Sequence, residues 1–358
     1  MAIYITLLCS AVLPSFFAQI NENEKQKKRY LIFVFTLAAL AAALRGISVG
    51  ADTRQFAGAY VEIGYLSWDR AFTLRYEPGF IILCKLLNFI SSDYQLLFIV
   101  TSAFITFSFA RFIYKNSDNI VISTVVFFCM FFAQSMNLMR QYIAVGILLF
   151  GLEFLKRKKY NRFLLFVLLA ASFHYSAIVS AVYIILYRLI IKRGAFLALS
   201  IVYALIFINY RQILGFFTSF SLLSQYEGYV GSSFDVQDTE TRPLKILMII
   251  LVLVFIKISG NEENEKENLK PNFHVNMLLA WGAIEMISIN MKILSRFITY
   301  FDVIMLVSVS KALSRIKHKN IRIIFNFIIF LAMIGYFYVT RIRNNSMGVM
   351  PYKFFWEV

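Results

Sequence analysis

Two residues suited to chemistry, Arg140 and His174, lie at the two ends of a predicted helical hairpin. Between them, two apolar segments flank the basic turn Lys156–Lys159. At about 1.5 Å per helical residue, the arm that follows Arg140 spans ~24 Å and the arm that leads to His174 spans ~18 Å. The first length is most of a hydrocarbon core, which is about 30 Å thick. The hairpin therefore predicts that an arginine and a histidine meet near one membrane face.

The elements that must position this pair are apolar from one end of the chain to the other. Of the 358 residues, 59% are hydrophobic and 16% are charged, and the mean hydropathy is +0.69. Such continuous apolar runs predict an all-α polytopic membrane protein, and they lack the alternation that is typical of a β-barrel. The net charge of +16 does not indicate a nucleic-acid partner, because Lys and Arg concentrate in short loops as the positive-inside rule expects.

Hydropathy predicts about twelve crossings in one integral membrane domain, residues 1–358. The crossings are expected near residues 3–20, 30–47, 93–113, 119–135, 138–155, 162–173, 174–191, 195–210, 244–259, 273–290, 297–313 and 322–340. Residues 3–20 are expected to stay as an uncleaved span, because the positive cluster follows the apolar run. The segment 77–92 is short for a span and is predicted to be re-entrant or interfacial.

The distribution of charge sets the predicted orientation. The polar loops 48–77 and 211–243 are expected outside, and the loop 260–271 is expected in the cytoplasm. With this orientation roughly three fifths of the 36 basic residues lie on cytoplasmic loops, and both termini lie outside. A full span at 77–92 would reverse every later loop and would place the basic turn of the hairpin outside.

Cysteine and histidine usage argues against two other kinds of site. The three cysteines are scattered in apolar surroundings without CxxC spacing, so neither a disulfide framework nor a cysteine metal site is expected. Two of the three histidines, His274 and His318, are predicted near the opposite face from His174. This separation argues against a histidine metal centre.

On the predicted topology the unusual polar residues collect on the outer side. They are Asp52, Thr53, Arg54, Asp69, Glu77, Arg140, Gln141, His174, Lys292, Arg296, Tyr352 and Lys353. Ionisable groups near membrane depth are costly and indicate functional sites. Guanidinium groups bind phosphate bidentately, so this side suits a lipid-linked diphosphate with its tail in the bilayer. Group transfer from such a donor needs a stabilised leaving group, for which Arg140 and Arg296 are candidates. It also needs a base or an orienting group, for which His174, Asp52 and Glu77 are candidates.

Each of these residues also has a plain structural explanation. Arg140 and Arg296 lie at predicted helix ends, where arginine side chains often extend to lipid headgroups. His174 can be a hydrogen-bonded histidine at a helix end. Asp52 can cap an interfacial helix, and Glu77 can shape the turn that its following Pro-Gly pair predicts.

Five stretches resemble a known family in their order and spacing. They are GADTRQF at 50–56, YEPGFIILCKLLN at 76–88, the hairpin at 136–179, SRFITYFD at 295–302 and PYKFF at 351–355. Together they are similar to the EpsG-type and Wzy-type polysaccharide repeat-unit polymerases of bacterial envelopes. The resemblance covers nearly the whole chain, whereas any one stretch alone would be weak.

The resemblance implies a glycosyltransferase with a bundle like that of the lipid-dependent (GT-C-like) enzymes. Such a polymerase would act at the periplasmic face of the bacterial cytoplasmic (inner) membrane and make O-antigen (lipopolysaccharide), capsule or exopolysaccharide. It would transfer a growing glycan from undecaprenyl diphosphate to the next lipid-linked repeat unit, with no metal, nucleotide or other cofactor. The implied partners are the undecaprenyl-diphosphate-linked oligosaccharide, membrane lipid and a separate chain-length regulator protein, and nucleic acid is not among them.

The resemblance also implies roles for individual positions. Arg140 and His174 fall in an R…H pattern, Asp52 in a GxDT element and Arg296 in a late SR element. We expect these four residues to be catalytic. The residues expected to bind substrate are Arg54, Glu77, Gln141, Tyr300 and Tyr352.

Three other functions compete with polymerisation. A glycan ligase would use the same donor, and residue types do not exclude it. A flippase of lipid-linked oligosaccharide would carry charges at mid-membrane and show internal repeats, and neither is visible here. A membrane O-acyltransferase would take its acyl donor from the cytoplasm, which requires polar residues across the bilayer.

Overall fold

The computed structural model describes residues 1–14, 20–190, 242–258, 271–288, 294–316 and 318–357. Every regular element longer than an isolated bridge in these ranges is helical. The chain divides into two compact units, Met1–Ser180 with Met305–Val358, and Ala181–Ile304. The predicted span 195–210 lies outside the described residues, as do nearly all of the predicted loops 211–243 and 260–271.

The first unit begins with a long run of helices. They are α1 (Ala2–Val12), α2 (Glu24–Ala43), α3 (Thr53–Tyr65), α4 (Trp68–Ala71), α5 (Pro78–Asn88), α6 (Gln95–Asn116), α7 (Ile120–Val126), a π-helix (Phe127–Phe132), α8 (Ala133–Asn137), α9 (Met139–Lys156) and α10 (Tyr160–Ala171). A 3₁₀ helix (Tyr175–Val182) follows and leads into the second unit.

The second unit and the return to the first are also helical. The second unit contains α11 (Tyr183–Arg188), α12 (Arg242–Ile258), α13 (Pro271–Ser288) and α14 (Ser295–Asp302). The first unit then continues with α15 (Met305–Ser314), α16 (Lys319–Phe337) and a second π-helix (Tyr338–Arg343). The predicted span 297–313 is thus divided in two at residues 303–304.

Within the described residues, three helices are long and apolar enough to cross a membrane. They cover Gln95–Asn116, Ile120–Asn137 and Asn320–Arg343, and α14 with α15 would make a fourth if counted as one span. These helices are those of a membrane-type protein. The total of twelve crossings and the likeness to lipid-dependent glycosyltransferases stay predictions.

The predicted hairpin is present as α9 and α10. Lys158, at the turn between them, has a left-handed backbone (φ 56°), which lets the chain reverse tightly. The side of α10 that carries Phe163, Val167 and Ala170 is buried at the spacing of one helical face, and Phe163 and Phe166 lie against Gly151 of α9. The opposite side of α10 exposes leucines, as expected of a surface that faces lipid.

The predicted external stretch 48–77 contains helices, and the first of them begins directly after Asp52, the residue that can cap such a helix. Helix α3 begins at Thr53 with Asp52 at its N-cap position, although the Asp52 side chain makes no capping hydrogen bond. Phe56, Tyr60 and Ile63 are buried at helical spacing along α3. The polar composition of the stretch conceals this apolar face.

The segment that follows, α5, has 11 residues and is about 16 Å long. A helix of this length is too short to cross a hydrocarbon core by itself. The re-entrant or interfacial placement of 77–92 stays a prediction. The Lys85 ammonium of α5 donates to the carbonyls of Gly64 and Leu66 at the end of α3, so the two helices are tied together.

Candidate active site

One carboxylate, that of Glu77, joins the arginine and the histidine at the ends of the hairpin. Arg140 Nη1 donates to Glu77 Oε2, and His174 Nδ1 lies 3.0 Å from Glu77 Oε1. The Arg140, His174 and Glu77 side chains are 18%, 13% and 6% exposed. We call these three residues the triad. Its members lie in the first unit, on three different elements.

Glu77 is placed by the start of α5. It occupies the N-cap position and is followed by proline at the first helical position, where the missing N–H of proline costs nothing. The next residue, Gly79, donates its N–H to the carbonyl of Ser172 at 2.7 Å. A Cβ atom at Gly79 would lie 2.5 Å from Ser172 Oγ and 2.7 Å from Ser172 O, so only glycine allows this approach.

This contact brings Glu77 to the end of α10, where His174 lies. The His174 N–H donates to the Ala170 carbonyl at 3.0 Å, and the His174 carbonyl accepts from Ala177 N–H at 2.9 Å. His174 therefore sits in a hydrogen-bonded turn between α10 and the 3₁₀ helix. Its backbone is fixed from both sides, which limits the directions its ring can take.

Arg140 lies in the first turn of α9, and its guanidinium is surrounded by aromatic rings. The centroids of the Phe56, Tyr76 and Phe80 rings are 5.6, 5.2 and 5.7 Å from the guanidinium carbon. These rings come from α3, from the residue before Glu77 and from α5. Cation–π contacts of this kind stabilise a partly desolvated cation.

The electrostatics of the triad favour an ionised carboxylate. Burial raises the pKa of Glu77, but the hydrogen bond from His174 and the charges of Arg140 and His174 outweigh it, so the net pKa lies below its ordinary value. An ionised carboxylate only accepts hydrogen bonds, so His174 Nδ1 must carry the proton in this contact. In the neutral imidazole the lone pair is then on Nε2.

Two nitrogen atoms of the triad have no hydrogen-bond partner in the described part of the chain. His174 Nε2 and Arg140 Nε are buried and have no hydrogen-bond partner among the described residues. In geometry the arrangement is an imidazole hydrogen-bonded to a carboxylate, next to a guanidinium, which is a combination that can serve acid–base chemistry and anion binding. It can accept a proton at Nε2 and stabilise negative charge at the guanidinium.

Asp52 is not part of the triad and lies at the N-cap position of α3. Its backbone N–H donates to Asn137 Oδ1 at 2.8 Å, and Asn137 precedes Arg140 by three residues. Phe56, which contacts Arg140, is one helical turn after Asp52 on α3. Of the predicted substrate-binding residues nearby, Arg54 is exposed, and Gln141 is 3% exposed on α9 beside Arg140.

The other predicted site residues lie elsewhere. Arg296 is exposed and Tyr300 is fully buried, both on α14 in the second unit. The Tyr300 carbonyl accepts a hydrogen bond from Tyr183 of the same unit. Tyr352 donates its hydroxyl to the carbonyl of Ala41 at the end of α2, a contact that packs the C-terminal tail. The catalytic and binding roles assigned to all these residues stay predictions.

Sequence reasoning did not single out Asn137, Arg45 or the rings around Arg140. Arg45 is 1% exposed and follows α2 directly. A signal was present, since an arginine that ends the apolar run LAALAAALR is an ionisable group at membrane depth. No local pattern marks Phe56, Tyr76 and Phe80 as neighbours of Arg140, because they contact it only after folding.

The described residues offer no obvious metal site. In these ranges, no three His, Cys, Asp or Glu side chains lie close enough together to hold a metal ion. The independence from metal that the resemblance implies stays a prediction.

Comparison with known proteins assigns the chain to a family. A protein-family model, that of the EpsG family, matches residues 28–354, which is more than nine tenths of the chain. No curated protein and no solved structure matches it. The matched region contains the whole triad, α14 and nearly all of the C-terminal tail. The chain therefore belongs to the EpsG family, the family of Wzy/EpsG-type polysaccharide polymerases.

Proposed function

We propose that the protein polymerises undecaprenyl-diphosphate-linked oligosaccharide repeat units at the outer face of the bacterial cytoplasmic membrane. The observation that supports this best is the shared carboxylate of Glu77, which holds the His174 imidazole and the Arg140 guanidinium side by side. Family membership supports the polymerase class. The charge bias of the loops supports the outward orientation of the triad.

In the proposed reaction the bond between the glycan anomeric carbon and the diphosphate oxygen breaks. The leaving undecaprenyl diphosphate gains negative charge, and Arg140 stabilises it. Glu77 uses one of the five N–H donors of the guanidinium, so the other donors can bind phosphate oxygens. The aromatic rings around Arg140 exclude water from one side, which strengthens the attraction between guanidinium and diphosphate.

The new bond forms between the anomeric carbon and a hydroxyl of the acceptor sugar. His174 Nε2 takes the hydroxyl proton, while Glu77 holds Nδ1–H and stabilises the imidazolium that results. Such a transfer requires a neutral imidazole at the start, with which the triad carries one positive and one negative charge. The transferred proton gives His174 a positive charge while the leaving diphosphate becomes more negative. The triad therefore gains positive charge at the step in which negative charge develops next to it.

A glycan ligase is the second candidate function, because it shares the donor and therefore the need for Arg140. It differs in its acceptor, because a ligase would join a finished glycan to a lipid or a protein. A flippase and an O-acyltransferase stay alternatives, and a glycan ladder made by the purified protein would contradict both.

The test is polymerisation by the purified full-length protein in detergent. Synthetic undecaprenyl-diphosphate repeat units are supplied in the presence of EDTA, and the products are separated on a gel. We expect a ladder of glycans joined to the lipid. A single joined product with a non-glycan acceptor would favour the ligase. No ladder, together with movement of the lipid-linked unit across proteoliposomes, would favour the flippase and contradict the proposal.

Arg140→Lys tests the proposed diphosphate contact. Lysine keeps the charge but loses the planar fork, so we expect kcat/KM to fall about 10- to 100-fold. Arg70→Lys is the matched control, because Arg70 is an exposed arginine of α4 and forms no ion pair within the described part of the chain. Equal activity of the two variants would contradict the role of Arg140.

A further inference from the structure

Arg45 is a buried arginine that no step of the proposed reaction uses. It is 1% exposed, and its guanidinium carbon lies 4.4 Å from the centroid of the Phe98 ring. Nη1 donates to the carbonyl of Ala42 and to Ser102 Oγ at 3.4 Å, and Nη2 donates to the carbonyl of Met136 at 3.3 Å. No carboxylate of a described residue forms an ion pair with it. Arg45 thus binds backbone carbonyls of two elements, the end of α2 and the end of α8.

The Met136 carbonyl lies at a break in the chain. Helix α8 ends at Asn137, and α9 begins at Met139 after Leu138, whose φ of −93° and ψ of 46° are not helical. The last four carbonyls of a helix have no intrahelical partner and need another donor when they are buried. A guanidinium N–H of Arg45 supplies one for Met136.

This break directly precedes Arg140, which is four residues after Met136. On the other side, Asn137 Oδ1 accepts the N–H of Asp52 at 2.8 Å. We call residues 136–140 the junction. Its first residue is held by Arg45, its second by the chain before α3, and its last residue reaches Glu77. Loss of the contact between Arg45 and the Met136 carbonyl would therefore shift the backbone from which the Arg140 side chain extends.

We infer that Arg45 is a positioning residue, which fixes the junction so that the Arg140 guanidinium meets Glu77 and the diphosphate. This inference rests on the proposed function of the triad. A shift of about 1 Å in a group that binds the reacting part of a substrate can cost about 100-fold in rate. Arg45 touches neither Glu77 nor His174, so it acts through the backbone of the junction.

The chain offers a matched control, a second buried arginine that donates to a carbonyl of the helical run 120–137. Arg341 is 2% exposed, and its Nη2 donates to the carbonyl of Met130 at 3.3 Å, while Nη1 donates to Ser346 Oγ at 3.0 Å. Met130 lies in the π-helix, six residues before Met136, or about 9 Å along the axis. Arg341 therefore has nearly the same burial as Arg45 and also donates to a backbone carbonyl of this helical run, but six residues before the junction. Among the described residues its only link to the junction is indirect, through Ser346 and the neighbouring Met347, whose Sδ lies 3.5 Å from Asn137 Nδ2.

The experiment compares Arg45→Lys with Arg341→Lys in the full-length protein. One ammonium group cannot serve acceptors on both sides as a guanidinium fork does, so both variants lose contacts of similar kind. We expect similar decreases in melting temperature. We expect kcat for polymerisation to fall about 10- to 100-fold in Arg45→Lys and less than about threefold in Arg341→Lys. A purely structural role would make the two losses of kcat equal.

A second readout does not depend on activity. The amides of Leu138 and Tyr142 donate to the carbonyls of Gln134 and Leu138 across the junction, and hydrogen–deuterium exchange reports their opening. We expect exchange at least about tenfold faster in Arg45→Lys and a clearly smaller increase in Arg341→Lys, whose link to the junction is indirect. Unchanged exchange in Arg45→Lys, or equal loss of kcat in the two variants, would overturn the inference. A wild-type protein without polymerase activity would contradict the proposed function, and the exchange comparison would still decide whether Arg45 fixes the junction.

Discussion

Replacing Glu77 by glutamine tests the triad most directly, because the change keeps the shape of the side chain and removes its charge. In the native protein Glu77 accepts hydrogen bonds from both Arg140 and His174. A glutamine has one acceptor oxygen and one donor NH₂, so it cannot serve both partners. The oxygen is drawn to the guanidinium, and the NH₂ then faces His174 Nδ1. That contact favours the imidazole tautomer with its proton on Nε2. In this tautomer Nε2 has no lone pair with which to accept the proton of the acceptor hydroxyl.

Two magnitudes follow from this geometry. Loss of the correct tautomer in a comparable base–carboxylate pair costs about 10³- to 10⁴-fold in kcat, or roughly 4–5 kcal/mol of transition-state stabilisation. The loss of stability is smaller. Breaking a buried ion pair costs about 3–5 kcal/mol, and the 18% exposure of Arg140 brings the expected loss to about 2–3 kcal/mol.

The assay measures kcat from the rate of ladder formation at saturating lipid-linked repeat unit, and melting temperature on the same preparation. Glu62→Gln is the control, because Glu62 is exposed on α3 and forms no ion pair with any described residue. We expect the control to retain wild-type kcat. The reasoning is refuted if Glu77→Gln keeps more than about one third of wild-type kcat, since a base without its orienting carboxylate should not remain that active.

Three further predictions use the same site. Because the pKa of Glu77 is lowered by folding, its contribution to stability is complete above about pH 4.3 and is lost as pH falls through the lower folded pKa. The melting temperature should therefore fall more steeply on acidification in the wild type than in Glu77→Gln, and parallel curves would contradict this. Gly79→Ala should lose about 1–3 kcal/mol of stability and at least tenfold in kcat, because its Cβ would collide with the Ser172 backbone. Gly58→Ala, with nothing within 4 Å of its Cβ, should be neutral or more stable by up to ~1 kcal/mol, and equal effects would refute the steric argument. Chelation of metal by EDTA should leave the rate of polymerisation unchanged, and a loss restored by Mg²⁺ would show that a metal takes part.

The meeting of Arg140 with His174 could be predicted from the sequence because helical rise is constant. A basic turn between two apolar arms indicates where the chain reverses, and the arm lengths then indicate which residues reach the same level. In the structure α9 and α10 form this hairpin, and both residues contact Glu77.

Other features could be predicted only coarsely. The polar stretch 48–77 contains α3, whose apolar face was hidden by the surrounding polar residues. The predicted span 297–313 is two helices in the structure. Hydropathy averages over a window, so it detects apolar length but neither a short amphipathic helix nor a break of two residues.

Composition and hydropathy predict a helical membrane-type protein, and the order of the motifs indicates the EpsG family, which the family model confirms. Constant helical rise places an arginine and a histidine at the ends of one hairpin. The carboxylate between them, that of Glu77, 63 residues before Arg140, and the contact of Arg45 with the junction are visible only in the folded chain. Such contacts join segments that are far apart in sequence. Their existence depends on close approaches, such as that of Gly79 to Ser172, which no local pattern encodes.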